Sequence, residues 1–300
     1  MPEGPEIRRA ADRVEAAVRG REIQKVYFAV DRLKEFEEEL QAQTVTRVET
    51  RGKAMLTWFG EETAVYSHNQ LYGRWMIRNK PGLPKTNRQL RFAIHTERGA
   101  ALLYSATDID VLDREGIDAH PFLSRIGPDP LHETVTPARI RKRLERPEFR
   151  RKRLSTLLLD QSFLAGVGNY LRSEILFEAG VHPDLRPVDL PADVLALLAR
   201  SVCKTMRRAY QSGGVTTDAA LVTRLKRAGR PKRAYRHWVF GRERDLCHRC
   251  DASVERYLAS GRRIFFCPGC QPQVPLNKSA AGVSKAPALS AAEAPSEQSA

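Results

Sequence analysis

The sequence lacks what a secreted or membrane-bound protein needs. No apolar run approaches the roughly 18 residues required to span a bilayer, and the first residues carry no apolar stretch of signal-peptide length. These absences predict a soluble protein that stays inside the cell, in the cytoplasm. Cysteine is scarce, five in 300 residues, and four of the five fall in two Cys-x-x-Cys pairs, Cys247/Cys250 and Cys267/Cys270. That leaves nothing for a disulfide framework and points to a metal site in a reducing compartment. Acidic residues are also in short supply, 36 against 50 Lys and Arg, a formal charge of +14. Such an excess favours an acidic partner, nucleic acid or an anionic surface. From Arg200 to Cys270 there are 17 basic and 5 acidic residues, a net of +12, so nearly all of the imbalance sits in the C-terminal third. A concentration of this kind is the footprint of a binding surface.

A 42% hydrophobic chain of 300 residues has enough apolar material for two ordinary domains. Ile7, Ala10, Ala11, Val14, Ala17 and Val18 recur at helical spacing, and Gly20 is placed to end that helix. Short β-rich segments follow to about Ser105: 23–30, 44–48, 54–59, 63–66, 74–77, 90–95 and 101–104. They read as a two-layer β domain. Beyond Pro121 the pattern becomes helical, with Thr136-Pro137 as a helix start, helices expected over 138–145, 154–162, 169–179 and 191–210, and a tight turn at Ala165-Gly166-Val167-Gly168. After about Gln271 the chain is dominated by Ala, Ser and Pro without periodicity, which reads as a disordered tail over 272–300.

Three motifs carry chemistry. Two Cys-x-x-Cys pairs separated by sixteen residues can close a tetrahedral zinc site. Four protein ligands leave no open position, so the metal is expected to be single and structural. Ser260-Gly261 between apolar strands suggests a hairpin with Arg262 and Arg263 at its tip. Gly166-Val167-Gly168-Asn169 opens a helix, where free N–H groups suit phosphate; the same glycines also serve close packing. The opening Met1-Pro2-Glu3-Gly4-Pro5-Glu6 would present a secondary amine once Met1 is removed. Such an amine attacks an aldehydic sugar carbon to give an iminium, an electron sink that lets the flanking phosphates leave, and Glu3 is placed to donate the proton that opens the sugar ring. From the residues alone, a proline and acids here equally serve to start a helix.

These features, with the strings Val48-Glu49-Thr50-Arg51-Gly52-Lys53-Ala54, Tyr66-Ser67-His68-Asn69-Gln70-Leu71-Tyr72-Gly73, His120-Pro121-Phe122-Leu123 and Asp160 to Arg172, match in order over residues 1 to about 271. Together they resemble the formamidopyrimidine-DNA glycosylase/endonuclease VIII family, and its endonuclease VIII branch more than the other. The resemblance implies an α+β chain of two domains: an N-terminal β-sandwich with a leading helix (1–125) and a helical helix-two-turn-helix domain (126–241), the latter followed by a four-cysteine zinc finger (242–271). It implies a monomeric, bifunctional DNA glycosylase and abasic-site lyase of base excision repair, acting on double-stranded DNA with damaged bases or abasic sites and cleaving the strand by β,δ-elimination.

By the same resemblance Pro2 is the Schiff-base nucleophile, Glu3 the general acid, and Lys53 a group that reaches a phosphate and assists elimination. Glu6, one helical turn on, is expected in the same pocket. Gln70, Leu71 and Tyr72 form a wedge filling the gap left by an everted base, though Leu71 and Tyr72 also fit as core residues at a strand end. Asn169, Arg125 and Arg263 are expected on DNA, Arg263 also assisting the second elimination. Oxidised pyrimidines such as thymine glycol and 5-hydroxycytosine are the expected lesions. Gly213-Gly214-Val215-Thr216 resembles the other branch and keeps oxidised purines, 8-oxoguanine or formamidopyrimidines, as the alternative. A non-catalytic, zinc-dependent DNA-binding protein is the alternative from another class.

Overall fold

A computed structural model describes residues 2–80 and 82–273. The segment expected to be a tail, 272–300, lies almost wholly outside them.

Helix α1 (Gly4–Val18) starts where Glu6 accepts the backbone N–H of Glu3 (3.1 Å), and it buries its Ile7, Ala11, Val14 and Val18 face. That face joins the core between two four-stranded antiparallel sheets. One has the order β1 (Ile23–Phe28), β6 (Leu90–Thr96), β7 (Gly99–Tyr104), β5 (Arg74–Arg78); the other is β2 (Val45–Arg51), β3 (Ala54–Phe59), β4 (Thr63–His68), β8 (Asp108–Leu112). Strand β3 is buried at every position. Its inner residues Met55 and Phe59 meet the sandwich core, while Leu56 and Trp58 are covered by Ile117 of α3 (Arg114–Ala119) and by Leu123. Short helix α2 (Glu37–Gln41) packs on β1. Strand β8 escaped the reading by pattern because Asp-Ile-Asp-Val-Leu is short and carries two acids.

The second domain holds α4 (Pro137–Leu144), α5 (Pro147–Arg150), α6 (Leu154–Leu157), α7 (Asn169–Ala179) and α8 (Ala192–Ser212) around one core, while α9 (Ala219–Arg227) and α10 (Lys232–Tyr235) follow, α9 packing Leu221 into a second core. The helix expected over 154–162 stops at Leu157. Asp160 draws the backbone N–H (3.0 Å) and hydroxyl (2.6 Å) of Ser162, and Gln161 bonds the Leu159 carbonyl, the Val167 carbonyl and the Gly166 N–H. Side chains that offer the backbone such partners end helices. The sequence reading also left 211–239 without structure, where α9 and α10 form.

The hairpin β9 (Glu255–Ala259) and β10 (Arg262–Phe266) is confirmed, with a correction at its tip. The turn is Ser260-Gly261, both at positive φ (50° and 73°), so Arg262 and Arg263 are the first paired residues of β10. The cysteine segment is no separate body. Phe177, Leu221, Trp238 and Val239 share a core with Cys247, Val254, Phe265 and Cys267.

Candidate active site

Helix α1 and the 165–168 turn meet backbone to backbone. The Gly4 N–H donates to the Gly166 carbonyl at 2.8 Å, and a Cβ on Gly4 would sit 3.0 Å from Gly166 Cα. The two-residue turn between β2 and β3 closes on the same point: Gly52, at φ +65°, lies so close that a Cβ would fall 2.8 Å from the Gly166 nitrogen. Glycine is required at these positions because three chain segments converge without room for side chains. The convergence places Pro2, Glu3 and Lys53 side by side.

Glu3 is buried, and its carboxylate accepts the N–H groups of Gly168 (2.8 Å), Tyr170 (2.9 Å) and Leu171 (3.2 Å) at the start of α7. A Cβ on Gly168 would overlap that carboxylate. Burial pushes the Glu3 carboxyl up to about 7, against the opposing pull of Lys53 and the Tyr170 N–H. It is thus a carboxylic acid able to hold and release a proton near neutrality. Lys53 donates to the Val167 carbonyl at 2.9 Å; burial lowers its ammonium, Glu3 raises it and Arg262 lowers it again.

These residues line a cavity of about 490 Å³ together with Glu6, Asn169, Tyr170, Arg236, His237, Phe240 and Arg262. Glu6 accepts the Tyr170 hydroxyl (3.0 Å), and the Tyr170 ring lies 5.1 Å from His237. Burial, helped by Arg236 and Lys232, pushes the His237 imidazole down to about 3, so it is neutral at any physiological pH. Arg236 donates to the Gly214 carbonyl at 3.1 Å, and the Thr216 N–H donates to the Arg236 carbonyl at 2.8 Å. The Gly213–Thr216 segment is thereby tied to the cavity wall.

The zinc-hairpin arginine that faces this cavity is Arg262, not Arg263. Both arginines are exposed, but side chains alternate across a strand, and only Arg262, on the face of Ile264, is among the residues lining the cavity. The arginine expected at this site from the sequence, Arg263, is the neighbour of the one that lines the cavity. Arg172, buried in α7, fixes the hairpin by donating to the Asn169 side chain (2.6 Å) and the Arg263 carbonyl (3.0 Å). Tyr170, Arg236, His237 and Phe240 were not singled out from sequence. Tyr170 lay inside a matched string; Arg236, His237 and Phe240 lie outside every string that carried the resemblance.

Gln70, Leu71 and Tyr72 form the link from β4 to β5 rather than part of the core: Leu71 is 52% and Tyr72 68% exposed. Gln70 takes a positive φ of 49° and its side-chain oxygen accepts the Thr107 hydroxyl at 2.8 Å. None of the three lines the cavity, and neither does Arg125, which is exposed and donates to the Pro121 carbonyl at 2.8 Å.

The four sulfurs of Cys247, Cys250, Cys267 and Cys270 lie within 4.8 Å of one another. Measured separations of 3.3, 3.4 and 3.8 Å suit a tetrahedron of thiolates about a metal ion, whose edge is about 3.8 Å for bonds of ~2.3 Å. His248, between the first two cysteines, turns its Nε2 to the Ala234 carbonyl (2.9 Å) and is outside the set. No helix among the described residues is long and apolar enough to cross a membrane.

Residues 1–107 match the formamidopyrimidine-DNA glycosylase N-terminal domain, and residues 126–220 match its H2TH domain. Endonuclease 8 of Pectobacterium atrosepticum is 45% identical over 271 residues, covering 90% of this chain and 100% of the relative. Endonuclease 8 of an Escherichia coli O7:K1 strain is equally similar, 45% identical over the same shares. The fold is that of Lactococcus lactis Fpg, solved in complex with an abasic-site-containing DNA, at a TM-score of 0.73 and 22% identity over 90% of this chain and 99% of that one. On these grounds the chain belongs to the formamidopyrimidine-DNA glycosylase/endonuclease VIII family, whose members are DNA glycosylases with abasic-site lyase activity.

Proposed function

We propose that this protein excises oxidised pyrimidines from double-stranded DNA and then cuts the strand, with Pro2 as nucleophile. The observation that carries this reading is the meeting of Pro2, buried Glu3 and Lys53 in one cavity bordered by aromatic rings. Once Met1 is removed, the Pro2 nitrogen adds to C1′ of the damaged nucleotide, Glu3 protonates the sugar-ring oxygen, and the base departs as the ring opens. The product is an iminium between Pro2 and C1′. Its positive charge acidifies the C2′ proton; loss of that proton expels the 3′ phosphate, and a second elimination expels the 5′ phosphate. Lys53 and Arg262 supply positive charge for the phosphates at the cavity mouth.

Everting a nucleotide costs a few kcal/mol of stacking, and an inserted apolar wedge offsets part of it. Leu71 and Tyr72, exposed on a link held by Gly73 and Gln70, are suited to that task. Asn169 at the start of α7 and Arg125 serve as phosphate ligands. The four cysteines hold one structural zinc ion, which supplies no chemistry beyond fixing the hairpin that carries Arg262. The protein acts as a monomer in the bacterial cytoplasm.

A gel assay of strand cleavage on duplexes with thymine glycol, 5-hydroxycytosine, 8-oxoguanine or an abasic site, run with borohydride, tests this reading. Expected are a trapped covalent adduct that Pro2→Gly weakens and an added N-terminal residue abolishes, and faster cleavage at the pyrimidine lesions. Preference for 8-oxoguanine would shift the substrate to oxidised purines, and no adduct on abasic DNA would leave only non-catalytic binding.

A further inference from the structure

The stretch from Arg224 to Arg233 carries six basic residues, Arg224, Lys226, Arg227, Arg230, Lys232 and Arg233, all exposed, and no acid. The neighbouring acids are already engaged: Glu178 by Lys204, Arg208 and Arg249, Asp245 by Arg242, and Glu243 by Arg256. Among the described residues none of the six forms an ion pair, so their charge is directed at solvent.

The element that bears them is firmly seated. Asp218 caps α9 by accepting the Leu221 N–H at 2.7 Å, and Leu221 is buried against Trp238, Val239 and the cysteine segment. Tyr235 of α10 is buried, and the Ala234 carbonyl takes the His248 ring. Helix α10 runs directly into the cavity wall. The Arg236 N–H donates to the Lys232 carbonyl at 2.9 Å, and Arg236 and His237 line the cavity. The basic track is therefore continuous with the catalytic site.

Its chemistry selects the partner. Protein interfaces are built around buried apolar or aromatic anchors. Among the described residues the exposed large apolar ones are Leu71, Tyr72, Leu83, Val188, Leu246 and Leu258, none of them on this element. The cavity between α8, α9 and α10, lined by Val215, Ala219, Val222 and Tyr235, is rimmed by Arg208, Lys226 and Lys232, and a surface whose protruding side chains are unpaired Lys and Arg fits a regular polyanion.

We infer that α9 and α10 form a second phosphate-gripping arm, which holds the DNA backbone beside the cavity and lengthens the footprint beyond the everted nucleotide. This rests on the DNA glycosylase reading above. The test measures affinity of the full chain for an undamaged duplex across a salt series, with borohydride trapping on saturating abasic DNA in parallel. Compared are the R224Q/K226Q/R227Q/R230Q protein, a version with Lys and Arg exchanged at the same four positions, and a control neutralised on the N-terminal domain at Arg19, Lys25, Lys34 and Arg98.

At ~0.9 in salt slope per phosphate contact, the arm variant is expected to lose about 3 in slope and at least tenfold in affinity near 0.1 M salt. The exchanged version should keep the parent slope, the control should change it by less than about 1, and adduct yield at saturation should be the same for all. Parent-like DNA binding by the arm variant, or equal losses in the arm and control variants, overturns the inference and leaves the arm to an acidic protein. Absence of adduct from every protein, the parent included, would instead overturn the glycosylase reading.

Discussion

At the scale of single residues the decisive feature is a carboxyl held near neutrality. Glu3 accepts three backbone N–H groups, which favour its charged form, but its burial outweighs them and raises it from 4.5 to about 7. A general acid must carry its proton. Base excision is accordingly expected to be fastest below about pH 7 and to fall about tenfold per pH unit well above it, as read in single-turnover excision rates. Strand cleavage at a preformed abasic site presented as the ring-opened aldehyde, which needs no ring-opening proton, should lack that alkaline limb. The sign for stability is the same: a carboxyl raised in the folded state contributes fully below pH 4.5, and its contribution is lost as pH rises through about 7. Of the residues lining the cavity, Pro2, Glu3 and Lys53 were reachable from sequence through their matched strings. Their pKa directions were not, because burial is set by segments distant in the chain.

At the scale of elements, register decides which arginine lines the cavity. The hairpin turn at Ser260-Gly261 makes Arg262 the first residue of β10 on the face shared with Ile264. A one-residue error moves a side chain to the other face, and neither Cys-x-x-Cys spacing nor composition fixes that parity. Arg262→Ala is expected to lower abasic-site cleavage, and above all the second elimination, by about ten- to a hundredfold, on the scale of losing one group that stabilises developing charge. Arg263→Ala should stay within about threefold. Denaturing gels that separate the β- and δ-elimination products read both. Helices show the same division between local and distant causes. Helix α7 follows from Gly168, Asn169 and Gly180, which sit at its two ends in sequence. The early end of α6 depends instead on what Asp160 and Gln161 find to bond.

At the scale of the whole molecule, three parts of the chain share one site. Helix α1 belongs to the sandwich core, yet Arg9 donates to the Tyr210 carbonyl (2.9 Å) and Tyr210 to Asp12 (2.6 Å), clamping α1 to α8. The cysteine segment shares its core with Phe177 of α7, and Arg172 of the same helix holds the β10 backbone. Metal loss should therefore spread beyond the ribbon. A strong chelator, or Cys247→Ser, is expected to lower Tm by several degrees and weaken DNA affinity at least tenfold, with adduct yield falling too. Structural zinc contributes on the order of ten kcal/mol to small isolated fingers, and part of that coupling should pass to α7. A ribbon that unravels without moving Tm or affinity would show that its core is separable.

The sequence by itself determined what local spacing and composition can determine. It gave a basic C-terminal third, a four-thiolate site, a leading amphipathic helix, a β-rich first half and a helical second half, because periodicity and turn residues act over a few positions. Matched strings added the family and the candidate nucleophile. Only the tertiary structure decided that Glu3 is buried under the start of α7, that Arg262 rather than Arg263 enters the cavity, that Arg236, His237 and Phe240 wall it, and that Leu71 and Tyr72 stand in solvent. The first three depend on contacts between residues more than a hundred positions apart or on the parity of a strand, and the last on what the rest of the fold leaves uncovered. No pattern within one segment encodes them.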